Sequence, residues 1–458
     1  MSIYIALGLY ILILGILTFY ASKRKSAEDF LVASREIGWK ALAVSVFASI
    51  ISSYNIVVGL TFSYLFGPWV IVVYLGALFA FIGIYYLAKS QNREIVISKK
   101  FNSVVDYFAY KFGMQNASIL NLSLMLVLFI FISLQFFINT AVFSNILGWD
   151  KYTSSIFVGI IVLLYTIAGG LKIEIFTDVF QGILMLLIVC LVFMVDTSQI
   201  TMDTVSPLLT DKTIIIGAIS LAAAQFLTLL VQPEMWQRVY ASKSIVDVKK
   251  GFMASWILLI LVIIPQILIG LTARAGGGID NPNNLFYDIF KTSSPEWFLP
   301  FLSVALFAAF MSSLDSSLFA LSSQLGKYGF WIKSNDNISQ KNDQTIVKKT
   351  RIIIVIVTVL ALITSLYFSN FLTFVLQLIS LLTVISVIVL VSLVLKLSNK
   401  EIFFGTLVGV AFFIYAAFSG LISEVPYTVL YPGLVVVLYM LFQNFIIKTY
   451  NYYKKTKT

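Results

Sequence analysis

The sequence predicts an all-α polytopic membrane protein with about 13 transmembrane helices. Two observations carry this fold class: 60% of the 458 residues are hydrophobic, and only 11% are charged. Soluble domains have roughly 25% charged residues. The apolar residues also fall in long runs, and about 20 such residues are needed for a helix to cross a bilayer. We therefore expect residues 1–458 to form a single transmembrane domain.

Thirteen hydrophobic runs account for most of the chain. Their approximate boundaries are 2–21, 38–66, 69–88, 117–144, 153–169, 174–195, 213–232, 251–272, 297–325, 351–368, 370–395, 402–421 and 426–447. We interpret the first run as a retained span, because it is too long for a signal-peptide core and lacks a small-residue cleavage site. An odd number of spans places the two termini on opposite sides of the membrane.

Lysine and arginine are distributed very unevenly between alternate loops. On one side lie 27 of the 31 basic residues, four of them in 238–250, whereas the other side has only Lys151, Lys212, Arg274 and Lys291. Because cytoplasmic loops carry an excess of Lys and Arg, we predict a multi-pass protein of the cell membrane with its N-terminus outside and its C-terminus in the cytoplasm. Membrane topology therefore explains the net charge of +10, and no nucleic-acid partner is expected.

Composition also argues against an enzyme. The chain has no histidine and a single cysteine, Cys190, within the apolar run LLIVCLVF. The lack of histidine excludes histidine relays, histidine metal sites and Ser-His catalysis. No nucleophile–base pair and no paired metal-ligating acids are evident, and Cys190 is expected to be a small buried apolar side chain.

Two runs carry polar residues in places where a membrane helix should be apolar. The second contains ASIISSYNIVVG (48–59), and the seventh contains AAAQFLTLLVQPEMWQRV (222–239), in which Pro233 is expected to end the span near the cytoplasm. In the second run the polar residues predict either an unwound segment with free carbonyls or contacts that hold helices together, and the sequence leaves both open. Because the runs lie five spans apart, they cross in opposite directions, as paired broken helices of inverted transporter halves do.

The ninth run contains AAFMSSLDSS (308–317), a serine-rich segment with an aspartate. On a helix Ala309, Ser312, Ser313 and Ser316 fall at i, i+3, i+4 and i+7 and share one face. An acid at the centre of a membrane helix costs about 2.5–3.5 kcal/mol. A stripe of oxygens beside an acid indicates a site for a small hard cation; the alternative is that the hydroxyls bond back to the helix carbonyls.

Three segments resemble the sodium:solute symporter family. They are GGLKIEIFTDVFQG (169–182), QPEMWQRVYASKSIVDVKKG (232–251) and AAFMSSLDSS, and they occur in the order and at the spacing of the family. The thirteen hydrophobic runs also fit the family, so the resemblance covers nearly the whole chain. The resemblance implies the LeuT-type five-plus-five inverted repeat with one extra helix before the core and two after it. It divides the chain into a leading helix and loop (1–37), a first repeat (38–196), a second repeat (212–396) and two C-terminal helices with a tail (397–458).

The resemblance also implies sodium as the bound ion and assigns its ligands. The sodium site would use carbonyls at Ser49 and Ser52 in the second span, the Ala309 carbonyl, and the Ser312 and Ser313 hydroxyls. In some relatives a second sodium site exists, and here it would be formed by Asp178, Asp315 and Ser316. Two alternatives stay open: Asp178 as a helix N-terminal acid close to water, and Asp315 as the partner of a cytoplasmic Lys or Arg.

The implied function is sodium-coupled symport of a small organic solute by alternating access. An amino acid or proline-like solute ranks first, because Gln232-Pro233 followed by Arg238 is similar to the proline-transporting branch. The expected partners are the solute, sodium ions and the lipid bilayer, and the oligomeric state is not predicted. The rival functions are a proton-coupled carrier of the same fold and a non-transporting solute sensor. The candidate solute-binding residues are Tyr54, Asn55, Gln135, Phe136, Asn139, Gln225 and Thr228.

Overall fold

The computed structural model describes residues 2–22, 27–276, 295–330, 343–368, 371–395, 397–422 and 426–455. Within these ranges the regular structure is helical, and β-type pairing is limited to an isolated bridge between Ile37 and Ser242. The prediction of an all-α protein is confirmed.

The described residues form nineteen α-helices. They are α1 (Ile3–Ser22), α2 (Ala27–Val32), α3 (Trp39–Ile50), α4 (Ser53–Phe66), α5 (Val70–Lys89), α6 (Arg93–Ser98), α7 (Val104–Phe112), α8 (Met114–Leu147), α9 (Lys151–Ala168), α10 (Leu171–Met185), α11 (Met202–Thr210), α12 (Lys212–Val231), α13 (Pro233–Ala241), α14 (Ile245–Ala275), α15 (Leu299–Tyr328), α16 (Asp343–Ser365), α17 (Phe371–Val394), α18 (Asn399–Phe418) and α19 (Tyr431–Lys455). Short 3₁₀ segments extend some of them, such as Leu186–Met194 after α10.

Ten helical stretches in the described part of the chain are long and apolar enough to cross a membrane. Two shorter apolar helices, Ile3–Phe19 and Trp39–Ile50, accompany them. These helices confirm a polytopic membrane protein, whereas the count of thirteen spans, the orientation and the division into two repeats stay predictions. Four helices that the hydrophobic runs did not predict, α2, α6, α7 and α11, lie between the runs.

The second run is broken, as one of its two interpretations predicted. Helix α3 ends at Ile50, Ile51 has φ −77° and ψ 78°, and α4 begins after Ser52, whose backbone is extended. The Ser52 hydroxyl accepts a hydrogen bond from the Asn55 backbone N–H at 3.0 Å and so caps α4. The second run is therefore broken at Ser52, because this serine caps the N-terminus of a new helix inside the run.

The segment 222–239 is interrupted at Gln232, and the span ends directly before Pro233, as predicted. Helix α12 ends at Val231, and Pro233 is the first residue of a further helix, α13, after Gln232 with φ −62° and ψ 122°. Proline suits the first helical position, because it has no N–H to leave unpaired and its φ is already helical. The chain continues as a helix, and all nine residues of α13 are buried.

Helices α5 and α12 approach each other closely at Gly76. A Cβ at this position would lie 2.1 Å from the Ala222 carbonyl oxygen. We expect Gly76→Ala to destabilise the protein by about 1–3 kcal/mol, because the carbonyl belongs to backbone that must shift. Thermal unfolding in detergent measures this cost. Gly8→Ala is the matched control, since Gly8 is exposed on α1 and a Cβ there meets nothing within 4 Å; equal midpoints for the two variants would contradict the prediction.

Candidate functional site

The serine stripe of α15 lies at the centre of the protein. Every residue of α15 from Leu302 to Gln324 is buried. The helix packs against α1, α8, α10 and α16 and contacts α3. Because the membrane core supplies no water, the hydroxyls of the stripe must find partners inside the protein.

The carboxylate of Asp178 on α10 accepts hydrogen bonds from three side chains. The Ser312 hydroxyl donates to Oδ1 at 2.5 Å, the Ser45 hydroxyl donates to Oδ2 at 2.5 Å, and Nη2 of Arg238 donates to Oδ2 at 2.8 Å. These donors come from α15, α3 and α13. Asp178 therefore holds four helices together at one point.

Arg238 is fully buried, with a side-chain exposure of 0%. Its Nη2 also donates to Glu174 Oε1 at 3.0 Å and to Ser316 Oγ at 2.9 Å, and its Nε donates to Ser45 Oγ at 2.9 Å. The assignment of Arg238 to a cytoplasmic loop is therefore wrong. The reason is the pair of carboxylates one helical turn apart on α10, since a buried charge is tolerated only with opposite charge and hydrogen bonds around it.

The predicted sodium ligands lie on the two elements expected to hold them. Ser49, near the end of α3, has its hydroxyl 3.4 Å from that of Ser316 on α15, so the break in the second run faces the stripe. The Ser313 hydroxyl donates to the Ala309 carbonyl at 2.8 Å, which is the back-bonding alternative. That bond uses the hydroxyl proton and leaves oxygen lone pairs that can face a cation, so the role of this serine stays a prediction.

The residues predicted for a second sodium site divide into two groups. Asp178 and Ser316 both bind Arg238, whereas Asp315 is 1% exposed and neither of its oxygens has a hydrogen-bond partner among the described residues. The description of Asp178 as a helix N-terminal acid close to water is wrong, because it is the eighth residue of α10 and has no exposed surface. No described Lys or Arg forms an ion pair with Asp315.

A cavity of about 100 Å³ lies between the two helix breaks. It is lined by Ser49, Ile50, Asn55, Leu124, Val127, Leu128, Phe131, Gln225, Thr228, Leu229, Gln232, Pro233, Leu378, Ile379 and Leu382. A smaller cavity of about 40 Å³ adjoins it and shares Asn55, Gln225 and Ile379 with it. None of the residues that line the larger cavity is ionisable, and its polar side chains are amides and hydroxyls.

The structure brings three of the predicted solute-binding residues, Asn55, Gln225 and Thr228, to this cavity. Gln135, Phe136 and Asn139 lie farther along α8 and are not part of its lining; the Phe136 ring packs against Phe310, with centroids 6.3 Å apart. The side chain of Tyr54 lies outside the described residues.

Sequence reasoning missed two groups of site residues. The first group is Ser45, Glu174 and Arg238, which surround Asp178. A signal existed for it, because Glu174 and Asp178 are spaced i, i+4 in an apolar run and two acids on one buried face need a cation. The second group is the apolar wall from α8 and α17, which gave no signal, since leucine and valine are equally common on lipid-facing surfaces.

Broken helices around a central cavity, beside a buried oxygen-lined stripe, are the arrangement typical of binding sites in secondary transporters of the inverted-repeat class. The chain belongs to the sodium:solute symporter family, whose profile matches residues 30–410. This is a family of sodium:solute transporters and not of enzymes, in agreement with the expectation that the protein is not an enzyme.

Individual relatives are distant. Sodium/glucose cotransporter 1 of Ovis aries is 30% identical over 199 residues, which are 41% of this chain and 28% of that protein. Sodium/proline symporter 2 of Staphylococcus saprophyticus is 25% identical over 384 residues, which are 78% of this chain and 74% of that protein. The matched segment thus spans only about a quarter of the length of the cotransporter from sheep.

The fold has a solved counterpart. The structure of a Na⁺-coupled sialic acid symporter, in a substrate-bound outward-open state, superposes with a TM-score of 0.79 at 20% identity and covers 96% of both chains. At this identity the likeness shows the fold alone. It confirms the LeuT-type architecture that the sequence motifs implied.

Proposed function

We propose that this protein imports a small polar organic solute together with sodium by alternating access. The observation that carries the proposal is the position of Ser49. It lines the central cavity and also lies 3.4 Å from Ser316 on the serine stripe. An ion bound between α3 and α15 would therefore order the same break that forms one wall of the solute cavity, and ion and solute would raise each other's affinity by linkage.

The break in the second run has a negative partial charge on one side, at the end of α3, and a positive partial charge on the other, at the start of α4. The C-terminal end of α3 presents carbonyl oxygens, which suit a cation, and the N-terminal end of α4 presents N–H groups, which suit a carboxylate. The cavity itself has no ionisable lining residue. These features favour a zwitterionic or neutral solute, and we rank a proline-like amino acid first, in agreement with the similarity to sodium/proline symporters.

The energy available from one sodium ion is sufficient for such transport. At about 100 mV the inward movement of one charge releases about 2.3 kcal/mol, and a tenfold sodium gradient adds about 1.4 kcal/mol. The sum of these two free energies, about 3.7 kcal/mol, supports a several-hundred-fold accumulation of a neutral solute.

Thermal unfolding of the purified protein tests the ion first. We expect NaCl, at fixed ionic strength, to raise the unfolding midpoint over KCl and choline chloride, because a ligand at 100 times its Kd stabilises the folded state by about 2.7 kcal/mol. Proline and related zwitterions are then expected to raise the midpoint further in sodium only.

Three outcomes would overturn parts of the proposal. Equal midpoints in sodium and potassium, with a strong dependence on pH, would favour the proton-coupled carrier. Solute binding without sodium-driven uptake into proteoliposomes would favour the sensor. A polyol or quaternary amine that stabilises where amino acids do not would replace the proline-like solute.

A further inference from the structure

Two of the three residues predicted to form a second sodium site, Asp178 and Ser316, already bind a cation of the protein itself. We propose that the Arg238 guanidinium is the permanent cation of this site, and that the protein therefore carries one exchangeable sodium, at Ala309, Ser312 and Ser313, instead of two. The inference about stoichiometry rests on the proposed sodium-coupled transport, whereas the occupancy of the site by Arg238 is independent of it.

The first argument is the geometry around Nη2 of Arg238. This one nitrogen lies 2.8 Å from Asp178 Oδ2, 2.9 Å from Ser316 Oγ and 3.0 Å from Glu174 Oε1. Two carboxylate oxygens and a hydroxyl oxygen converging on one point are the ligand types that a hard cation takes. Nη2 stands at that point.

The second argument is that the side-chain oxygens of Asp178 and Ser316 are already engaged. Asp178 Oδ1 accepts from Ser312, and Oδ2 accepts from both Ser45 and Arg238. Ser316 accepts from Arg238 and donates its own proton to the Ser312 carbonyl at 2.7 Å. A sodium ion entering here would have to displace these donors and would face the positive guanidinium at short range in a medium of low dielectric constant.

The third argument is that Arg238 is fixed in place. It lies on α13, a helix with every residue buried, and its Nη1 donates to the Glu234 carbonyl at 3.2 Å. On the same helix the Trp236 indole N–H donates to the Leu230 carbonyl at 2.8 Å, across the break. The guanidinium is therefore a built-in part of the protein, in contrast to an ion that arrives and leaves in each cycle.

Removal of the guanidinium would convert this place into a real ion site. In Arg238→Gln the carboxylates of Glu174 and Asp178 remain beside the Ser45 and Ser316 hydroxyls, and a free cation would be needed to neutralise them. The number of sodium ions bound on folding follows from the slope of stability against the logarithm of sodium concentration. We expect this slope to rise by about one ion from wild type to Arg238→Gln.

The matched control is Arg238→Lys, which keeps the positive charge and is expected to keep the wild-type slope. A slope for Arg238→Gln equal to that of wild type would overturn the inference. Because the prediction concerns the difference between two proteins, it is separate from the proposed function: a wild-type slope of zero would refute sodium coupling, and a gain of one ion on removal of Arg238 would still support the occupied site.

A second measurement covers the case in which Arg238→Gln does not fold. The ratio of ²²Na⁺ to solute flux in proteoliposomes of the wild-type protein is expected to be about one. A ratio of two would show that a second sodium binds in the presence of Arg238 and would overturn the inference.

Discussion

Replacement of both Ser312 and Ser313 by alanine is expected to raise the sodium concentration for half-maximal uptake by about tenfold or more. The reason is the loss of two hydroxyl ligands from the predicted sodium site, since about 1.4 kcal/mol of ion binding corresponds to a factor of ten. Sodium-dependent solute uptake into proteoliposomes measures this change. The sodium-dependent rise in the unfolding midpoint is expected to disappear in the same variant.

The single variants separate ion binding from structural support. Ser312 also holds Asp178 through a 2.5 Å hydrogen bond, whereas the Ser313 hydroxyl, among the described residues, bonds only to the Ala309 carbonyl of its own helix. A shift in Ser313→Ala alone therefore points to the ion. The matched control is Ser303→Ala, because Ser303 lies on the same helix, is buried and bonds back to the Leu299 carbonyl at 2.7 Å. Unchanged sodium dependence in the double variant would refute the site.

Asp178→Ala is expected to destabilise the protein by about 3–5 kcal/mol. It removes the carboxylate at 2.8 Å from Arg238 and leaves a fully buried guanidinium with Glu174 as its one remaining carboxylate among the described residues, and the loss of one partner from a buried ion pair carries this cost. Reversible unfolding monitored in detergent, or the yield of folded protein, is the measurement. Asp178→Asn keeps a polar group of the same shape and is expected to lose less.

A double-mutant cycle sharpens this test. Asp178→Ala combined with Arg238→Leu removes both charges, so the combined loss is expected to be smaller than the sum of the two single losses. Asp203→Ala serves as the control, because Asp203 is exposed on α11 and exposed substitutions stay within about 0.5 kcal/mol. Additive losses in the cycle would mean that the two residues do not stabilise each other.

Much of the fold was readable from the sequence, because the bilayer imposes a simple rule. An apolar run of sufficient length must be helical, since every backbone polar group has to be satisfied within the membrane. The positions of the runs, the end of the seventh span before Pro233, and the serine stripe on one face of α15 all follow from local patterns. The break at Ser52 was one of two interpretations that the sequence left open. The family motifs added the LeuT-type architecture and sodium as the expected coupling ion.

The solute cavity was predicted only in part. Asn55, Gln225 and Thr228 stood out because amides and hydroxyls are rare in membrane runs, and all three line the cavity. Gln135 and Asn139 stood out for the same reason and lie outside the lining, since the rotation and depth of α8 decide which of its turns faces the break. A polar residue in a span indicates a buried face, but not which neighbour it faces.

The sequence by itself determined the membrane class, the positions of the helical runs, and the stripe of oxygens that suits sodium. Only the tertiary structure decided the surroundings of Asp178. Arg238 lies 60 residues from Asp178 in the chain and five residues after a proline, so charge counting assigned it to a loop. The helix begun by Pro233 carries it into the core, where pairing with two carboxylates offsets the cost of burial. Such pairing depends on the packing of four helices, and no local pattern encodes it.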